Sequence, residues 1–408
     1  MPDVRSDESA DRRARIWLSR AIEPGRASVY RYVHADGAAE VAARLRAGAD
    51  SAATAPERRS GPGVDVRAGD EQVDDDLRRA GAIGMRFVTP ADKEWPAQAL
   101  RPMEAAVLAG RDDDAVADLA PPLGLWVRGP ARLDEALGHC VSIVGSRAST
   151  AYGEHVAAEF AYGLAEQGWT VVSGGAYGID GAAHRGALAA GGMTVAILAG
   201  GLDSPYPRGH RTLFDHVLQA GLLVGEWPAG CAPFRHRFLV RNRLIAAVGA
   251  GTIVVEAGVR SGALATARRA KRIGRSLMTV PGPVTSAMSV GCHELLRDEH
   301  ARVVTRVGEV LEEIGRIGEL ATPRRAPVGL RDGLDPMAGR VLDGVPLIRA
   351  APVERIAHSC GLPVTDLLRV LPLLELRDLV ERRTDGWRLS ERARLDVGIA
   401  ARPAPTPA

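Results

Sequence analysis

Between about residues 123 and 305 the chain alternates short apolar runs with longer stretches of helical periodicity. The runs are Val141–Gly145, Thr170–Ser173, Thr194–Leu198, Leu222–Val224, Thr252–Val255, Leu277–Val280 and Arg302–Val304, and Gly153–Gln167 and Asp180–Ala190 are two of the helical stretches. Buried strands of this length, separated by helices, predict a parallel sheet covered on both faces. Right-handed crossovers make that sheet doubly wound. The expected fold class is therefore α/β, a Rossmann-like core. Ligands of such sheets lie beyond the carboxyl ends of the strands. The loops to inspect follow Val144, Val172, Leu198, Val224, Val255 and Val280.

The flanks follow other patterns. Residues 12–45 read as helices, with Ile16, Leu18, Ala21 and Ile22 on one face, Val41, Ala42 and Leu45 on another, and a turn at Pro24-Gly25. Residues 46–72 have the composition of a connector, so residues 1–75 form a helical segment and 76–319 the Rossmann-like domain. Residues 320–334 read as a linker. Within 335–390, helices Pro336–Leu342, Val353–Ser359 and Val364–Arg377 precede a hairpin, the order of a winged helix. Residues 391–408 read as a disordered tail.

Composition sets limits. The 408 residues exceed one ordinary core. Hydrophobic residues make up 46% and charged residues 25%, and the net charge is only +2, so where the charge sits matters more than its sum. Lys occurs only at Lys93 and Lys271; the abundance of Arg, Ala and Gly fits a GC-rich coding bias. Cys140, Cys231, Cys292 and Cys360 form no CxxC pair, which argues against zinc and against a disulfide framework. There is no apolar signal core and no bilayer-spanning run; Leu244–Val259 is broken by glycines and Glu256. A cytoplasmic protein without metal or cofactor is expected.

Three loops carry candidate chemistry. In Gly145-Ser146-Arg147, glycine admits a ligand to the backbone, the helix starting near Tyr152 offers N–H groups to an anion, and Arg147 can grip a phosphate. A plain turn with a solvated Arg accounts equally for these residues. Ser173-Gly174-Gly175-Ala176-Tyr177-Gly178-Ile179-Asp180 reads as an anion-binding nest in preference to a tight turn needing positive φ. It is not GxGxxG, and no acid ends the second strand, which counts against NAD. His184 lies one helical turn after Asp180; a structural Asp–His partnership is preferred to an acid–base pair. The third loop, Gly200-Gly201 to Asp203 and Tyr206-Pro207, reads as a shaped turn.

Charge is concentrated between Trp227 and His293, where Arg235, Arg237, Arg241, Arg243, Arg260, Arg268, Arg269, Lys271, Arg272 and Arg275 face the single acid Glu256. Phe238 sits among the first four arginines beside Asn242. Aromatic rings that stack bases among arginines that hold phosphates are how single strands are gripped without sequence preference; a core Phe238 is the competing reading. Ser261 reads as the N-cap of a helix with free N–H groups, and Glu256 as a residue that orients arginines or bonds a ligand.

These residues together resemble the DNA-processing protein A (DprA, or Smf) family. VGSR, SGGAYGID with AAH, GGLDSPYP, RNRLIA, VVEA, SGALATA and VPG occur in the family's order across roughly residues 80–305. The N-terminal helices resemble its SAM-like or helix-hairpin-helix segment, and 335–390 its winged helix. The resemblance implies single-stranded DNA binding without sequence preference, protection of incoming strands in natural transformation, and loading of the RecA recombinase. It implies no catalysis. The partners it implies are single-stranded DNA, RecA, single-strand-binding protein and a second copy of the chain, with no membrane. It places the DNA pocket at Gly145, Ser146, Arg147, Gly174, Gly175, Phe238, Arg241, Asn242 and Arg243; the residues themselves add Ser173 from the glycine-rich loop, Arg237 and Lys271 from the basic stretch, and Ser261, Gly262 and Thr266 from the helix start. Asp180, His184 and Glu256 are expected to orient other groups. Phe238-Leu239-Val240 departs from the family's Phe-Pro before RNR, Gly291-Cys292-His293 from its GxN, and Glu299-His300-Ala301 from the Gly-Ala that follows.

Two other functional classes share features with the chain. Val248-Gly249-Ala250-Gly251-Thr252 with Glu256 loosely resembles the PGGxGTxxE motif of hydrolases that cleave nucleoside monophosphates, but lacks its Pro-Gly-Gly. A transcription regulator would read bases with Val364–Arg377, yet that helix carries only Arg369 and Arg377 among many leucines, which suits a protein contact better.

Overall fold

The structure, a computed structural model, describes residues 4–47, 69–110, 118–315 and 333–396, and the chain divides into two compact units, 1–321 and 322–408. In the first, strands β1 (Met85–Val88), β2 (Leu125–Arg128), β3 (Cys140–Val144), β4 (Thr170–Ser173), β5 (Thr194–Leu198), β6 (Leu222–Gly225), β7 (Gly251–Val254), β8 (Ser276–Thr279) and β9 (Arg302–Val303) form one sheet. Their order is β1-β2-β6-β5-β4-β3-β7-β8-β9. From β6 to β9 all neighbours are parallel; β2 is antiparallel to β6, and β1 to β2. All seven expected runs are strands, each within one residue of its predicted ends. Every residue of β3 to β7 is buried, because helices cover both faces. This is the expected Rossmann-like α/β core. After β3 the chain winds outward through β4, β5 and β6, then returns to lay β7 on the other side of β3. Winding reverses there, which opens a crevice at the carboxyl ends of β3 and β7.

Helices Val4–Ala21, Ala27–Asp36 and Ala38–Ala47 confirm a helical N-terminal segment, but it does not stand apart. Ile16, Trp17, Leu18, Val29 and Val41 share one core with Phe87, Trp126, Leu198 and Phe214 of the sheet layer. The expected boundary at 75/76 is corrected: it falls inside the helix Asp70–Ala82. Asp76 of that helix is buried and accepts from Arg20 Nε at 2.8 Å, which ties it to the first helix. Of the expected connector, residues 48–68 lie outside the described residues.

The second unit contains helices Pro336–Gly344, Val353–Cys360 and Val364–Leu376, then the hairpin β10 (Val380–Arg383) and β11 (Gly386–Leu389). Asp335 caps the first helix by accepting from the amides of Met337 and Ala338, both at 2.9 Å. Gly361 ends the second with φ +61, which a side chain rarely adopts. Leu342, Ile356, Leu367, Leu371, Leu374 and Leu389 form its core. Residues 391–396 are corrected from tail to helix; 397–408, and all of the expected linker but 333 and 334, lie outside the described residues. No described helix is long and apolar enough to cross a membrane.

The stretch Arg235–Val248 is a helix, and arginine anchors it. Arg243 is fully buried and makes a bidentate ion pair with Glu226, just after β6, at 2.5 and 2.6 Å. Its Nε donates to Ala120 O at 2.9 Å. Removing one partner of such a pair strands a buried charge, which costs about 3–5 kcal/mol. Glu226→Gln is accordingly expected to lower unfolding stability by about that amount in denaturant titrations. Glu226→Leu combined with Arg243→Met should recover part of the loss, because no buried charge is then left, only the Ala120 and Val240 carbonyls without their arginine donor.

Candidate functional site

A cleft of about 1130 Å³ occupies the β3–β7 crevice. The Arg235–Val248 helix forms one wall and presents Arg235, Phe238, Leu239 and Asn242, spaced as one helical face. The Gly145–Ala148 loop after β3 faces it, and Gly258–Ala263 closes a third side. The β3 loop is held rigidly: Ser146 N donates to Glu256 O at 2.7 Å, and Ile179 N to Ser146 O at 3.2 Å. Arg147 projects from it, exposed, with its guanidinium 4.9 Å from the centre of the Phe238 ring across the cleft. Tyr206 meets the same ring edge-on at 5.7 Å. Arg147, Arg235 and Arg260 line the cleft and form no ion pair among the described residues. The one acid in the lining is Asp180.

The nest reading is corrected in an instructive way. The amides of Gly174 and Ala176 do converge on an anion, but that anion is the chain's own Asp180 Oδ2, at 3.1 and 3.4 Å. Ser173 Oγ is spent on Ile143 O at 2.6 Å. Gly175 supplies the turn, with φ +69, and its carbonyl meets His210 Nδ1 at 3.0 Å. The helix N-terminus after the β3 loop is also filled: Glu256 accepts from Thr150 N at 2.9 Å and from Thr150 Oγ1 at 2.6 Å. Its carboxylate lies where a Cβ on Gly153 would sit. Glu256 therefore orients this helix and loop rather than an arginine. Ser261 caps its helix as expected, accepting from Ala263 N at 3.3 Å.

The basic residues sort by burial. Arg241 is buried at the cleft floor, where Nη1 donates to Gly174 O at 2.7 Å and also to Ile197 O, and Nε to Asn242 Oδ1 at 3.2 Å. Burial lowers its pKa to about 10, opposed by Asp180, and burial likewise raises Asp180, opposed by Arg241. Asn242 Nδ2 reaches Gly262 O at 3.5 Å and joins two walls. Arg237 and Arg243 are corrected: both are buried and internally paired, Arg237 with Glu23 at 3.1 Å and Arg243 with Glu226. Lys271 is also corrected, since it pairs with Glu299 at 2.7 Å and lies outside the cleft lining. The structure thus gathers Gly145, Ser146, Arg147, Phe238, Arg241, Asn242, Ser261, Gly262 and Thr266 at one cleft. Tyr206 and Arg260 join them; an exposed aromatic in a strand-end loop was the available signal for Tyr206. Among the described residues no cluster of His, Cys, Asp or Glu is placed to hold a metal.

Comparison with known proteins identifies relatives of the chain. The family model described as DNA recombination-mediator protein A matches residues 86–315. A Mycobacterium tuberculosis protein named as a DNA processing protein DprA is 46% identical over 381 residues, 93% of this chain and 95% of that one. Protein Smf of Escherichia coli is 35% identical over 257 residues, 60% of this chain and 67% of its own length. The crystal structure of DNA processing protein A from Streptococcus pneumoniae superimposes with a TM-score of 0.53 and 32% identity, covering 61% of this chain and 80% of that one.

His184 is corrected from partner of Asp180 to partner of Thr194. Its Nδ1 lies 2.7 Å from Thr194 Oγ1, whose proton goes to Val171 O, so Nδ1 carries the hydrogen. Burial pushes the pKa of His184 from 6.5 down to about 3, helped by the nearby charges of His210 and Arg241. Below pH 6.5 the unfolded chain then binds a proton that the folded chain refuses, so the contribution is intact above that pH and is lost as pH falls toward 3. The slope for one such group is about 1.4 kcal/mol per pH unit. Unfolding stability of His184→Gln should fall by that much less per unit between pH 6 and 4, as measured by denaturation over a pH series.

Proposed function

The chain belongs to the DNA recombination-mediator protein A family, and from that premise we propose that it binds single-stranded DNA without sequence preference in the β3–β7 cleft. The observation that carries the reading is the facing of Arg147 and Phe238 across the cleft, 4.9 Å apart. The ring offers a stacking platform that accepts any base, and Arg147, Arg235 and Arg260 are left free of ion pairs among the described residues to meet phosphates. A duplex keeps its bases stacked and offers none to Phe238. The bound strand is incoming DNA, protected in the cytoplasm during transformation and recombination; the protein helps load the RecA recombinase onto it, with single-strand-binding protein as a further partner. The working form is a homodimer through the Rossmann-like domain, and residues 335–390 act as a winged helix that contacts protein.

A non-enzymatic role is favoured over a nucleoside-monophosphate hydrolase by Glu256, whose two carboxylate oxygens are both taken by Thr150. A base-reading regulator is disfavoured by the Val364–Leu376 helix, which exposes Leu368, Leu373 and Leu376.

Gel shifts over a salt series are expected to show tight binding to oligo-dT and little to duplex. Phe238→Ala should weaken oligo-dT binding roughly 5- to 150-fold, the value of one stacked base. Arg147→Ala should also weaken it and reduce the salt slope by about 0.7, one phosphate contact. Folded variants that bind like the parent remove the cleft assignment. Release of adenine from AMP that disappears in Glu256→Gln replaces the reading with the hydrolase.

A further inference from the structure

We infer that Phe234 is a second base-stacking platform, outside the cleft, on which the strand continues as it leaves Phe238. This inference rests on the single-strand reading above and extends its footprint. Phe234 precedes the Arg235–Val248 helix as its N-cap residue and is 40% exposed, although it is a large apolar ring. It is not among the residues that line the cleft.

The ring is held in place from behind. The buried Arg237 guanidinium lies over the Phe234 ring, 4.8 Å from its centre, and over the buried Trp227 ring, 5.5 Å from its centre, so one cation contacts both aromatics. Arg237 is itself fixed by Glu23 Oε1 at 3.1 Å and by Ala232 O at 2.8 Å. His236 lies parallel to the Phe234 ring, 6.2 Å away and tilted by 6°. A mobile surface side chain needs no such support. A stacking platform does, because a ring ordered before binding loses less entropy when a base covers it.

The placement fits a strand. Phe234 and Phe238 are four residues apart, so about 6 Å separates them along the helix axis. Between them Arg235 is exposed and without an ion pair among the described residues. Aromatic, cation, aromatic is the order that two successive bases and the phosphate between them require. Glu23, the acid that pairs with Arg237 at 3.1 Å and lies 3.4 Å from His236, is mostly buried. It places no unbalanced negative charge against the strand.

The test uses the full chain, fluorescence anisotropy, and two probes: a short oligo-dT that the cleft alone accommodates and one of about twenty nucleotides. Phe234→Leu keeps apolar cover over Arg237 but removes the aromatic face. The expected result is a roughly 5- to 150-fold loss on the long probe, no change on the short one, and restoration in Phe234→Trp. A 2-aminopurine placed next to the cleft-bound nucleotides should be quenched on binding to the parent and to Phe234→Trp, but not to Phe234→Leu. An equal loss on both probes means that Phe234 acts by holding the helix and overturns the inference. So does unchanged long-probe binding, which would leave the exposed ring to a protein contact. A parent that binds neither probe removes the single-strand reading itself, a result separate from either.

Discussion

The buried ion pair of Arg243 with Glu226 is the fixed point on which the cleft depends. A guanidinium taken wholly out of water is tolerated only when its donors are met, and Arg243 meets a carboxylate and the Ala120 carbonyl. Two residues earlier, Arg241 is pinned under the cleft by the carbonyls of Gly174 and Ile197, at the ends of β4 and β5. The helix that carries both arginines therefore has little freedom to rotate. That leaves Arg235, Phe238, Leu239 and Asn242 facing the crevice as a fixed set.

The same economy governs the anion sites. The amides of Gly174 and Ala176 and the helix following Thr150 are the positions at which a phosphate would ordinarily be bound by backbone donors. In this chain Asp180 fills the first and Glu256 the second. These carboxylates stiffen the strand-end loops and withdraw the backbone donors from the ligand. On the proposed single-strand reading, phosphates would be met by the exposed Arg147, Arg235 and Arg260 that line the cleft, since these backbone donors are already taken.

The sheet was legible in the chain because each buried strand is a continuous apolar run, and no other element produces runs of that length between helices. The first two strands were not, since Met85–Val88 and Leu125–Arg128 are antiparallel additions outside the repeating pattern. The Asp70–Ala82 helix was hidden by its charge. Its apolar positions Val73, Leu77 and Ala80 keep helical spacing, but the buried Asp76–Arg20 pair makes an interior contact look like solvent-exposed polarity. The arginines misled for the same reason. Sequence distinguishes charged from apolar, and Arg237 and Arg243 are charged residues doing core work. Once the stretch from Arg235 is known to be helical, a period of 3.6 separates Phe238 and Asn242 from Arg243. What the chain alone could not supply was the partner of each arginine, because Glu23 and Glu226 come from distant segments.

The order of strands also governs how the molecule comes into being. β3 pairs with β7 through Ser142 and Thr252, and everything that builds β4, β5 and β6 intervenes between them. On a ribosome the cleft's first wall is therefore made long before its second. Until β7 emerges, one edge of β3 has unpaired backbone groups and apolar neighbours open to other chains. Contacts this remote in sequence close slowly. Assembly of the cleft thus waits for β7, the strand that closes the open edge of β3.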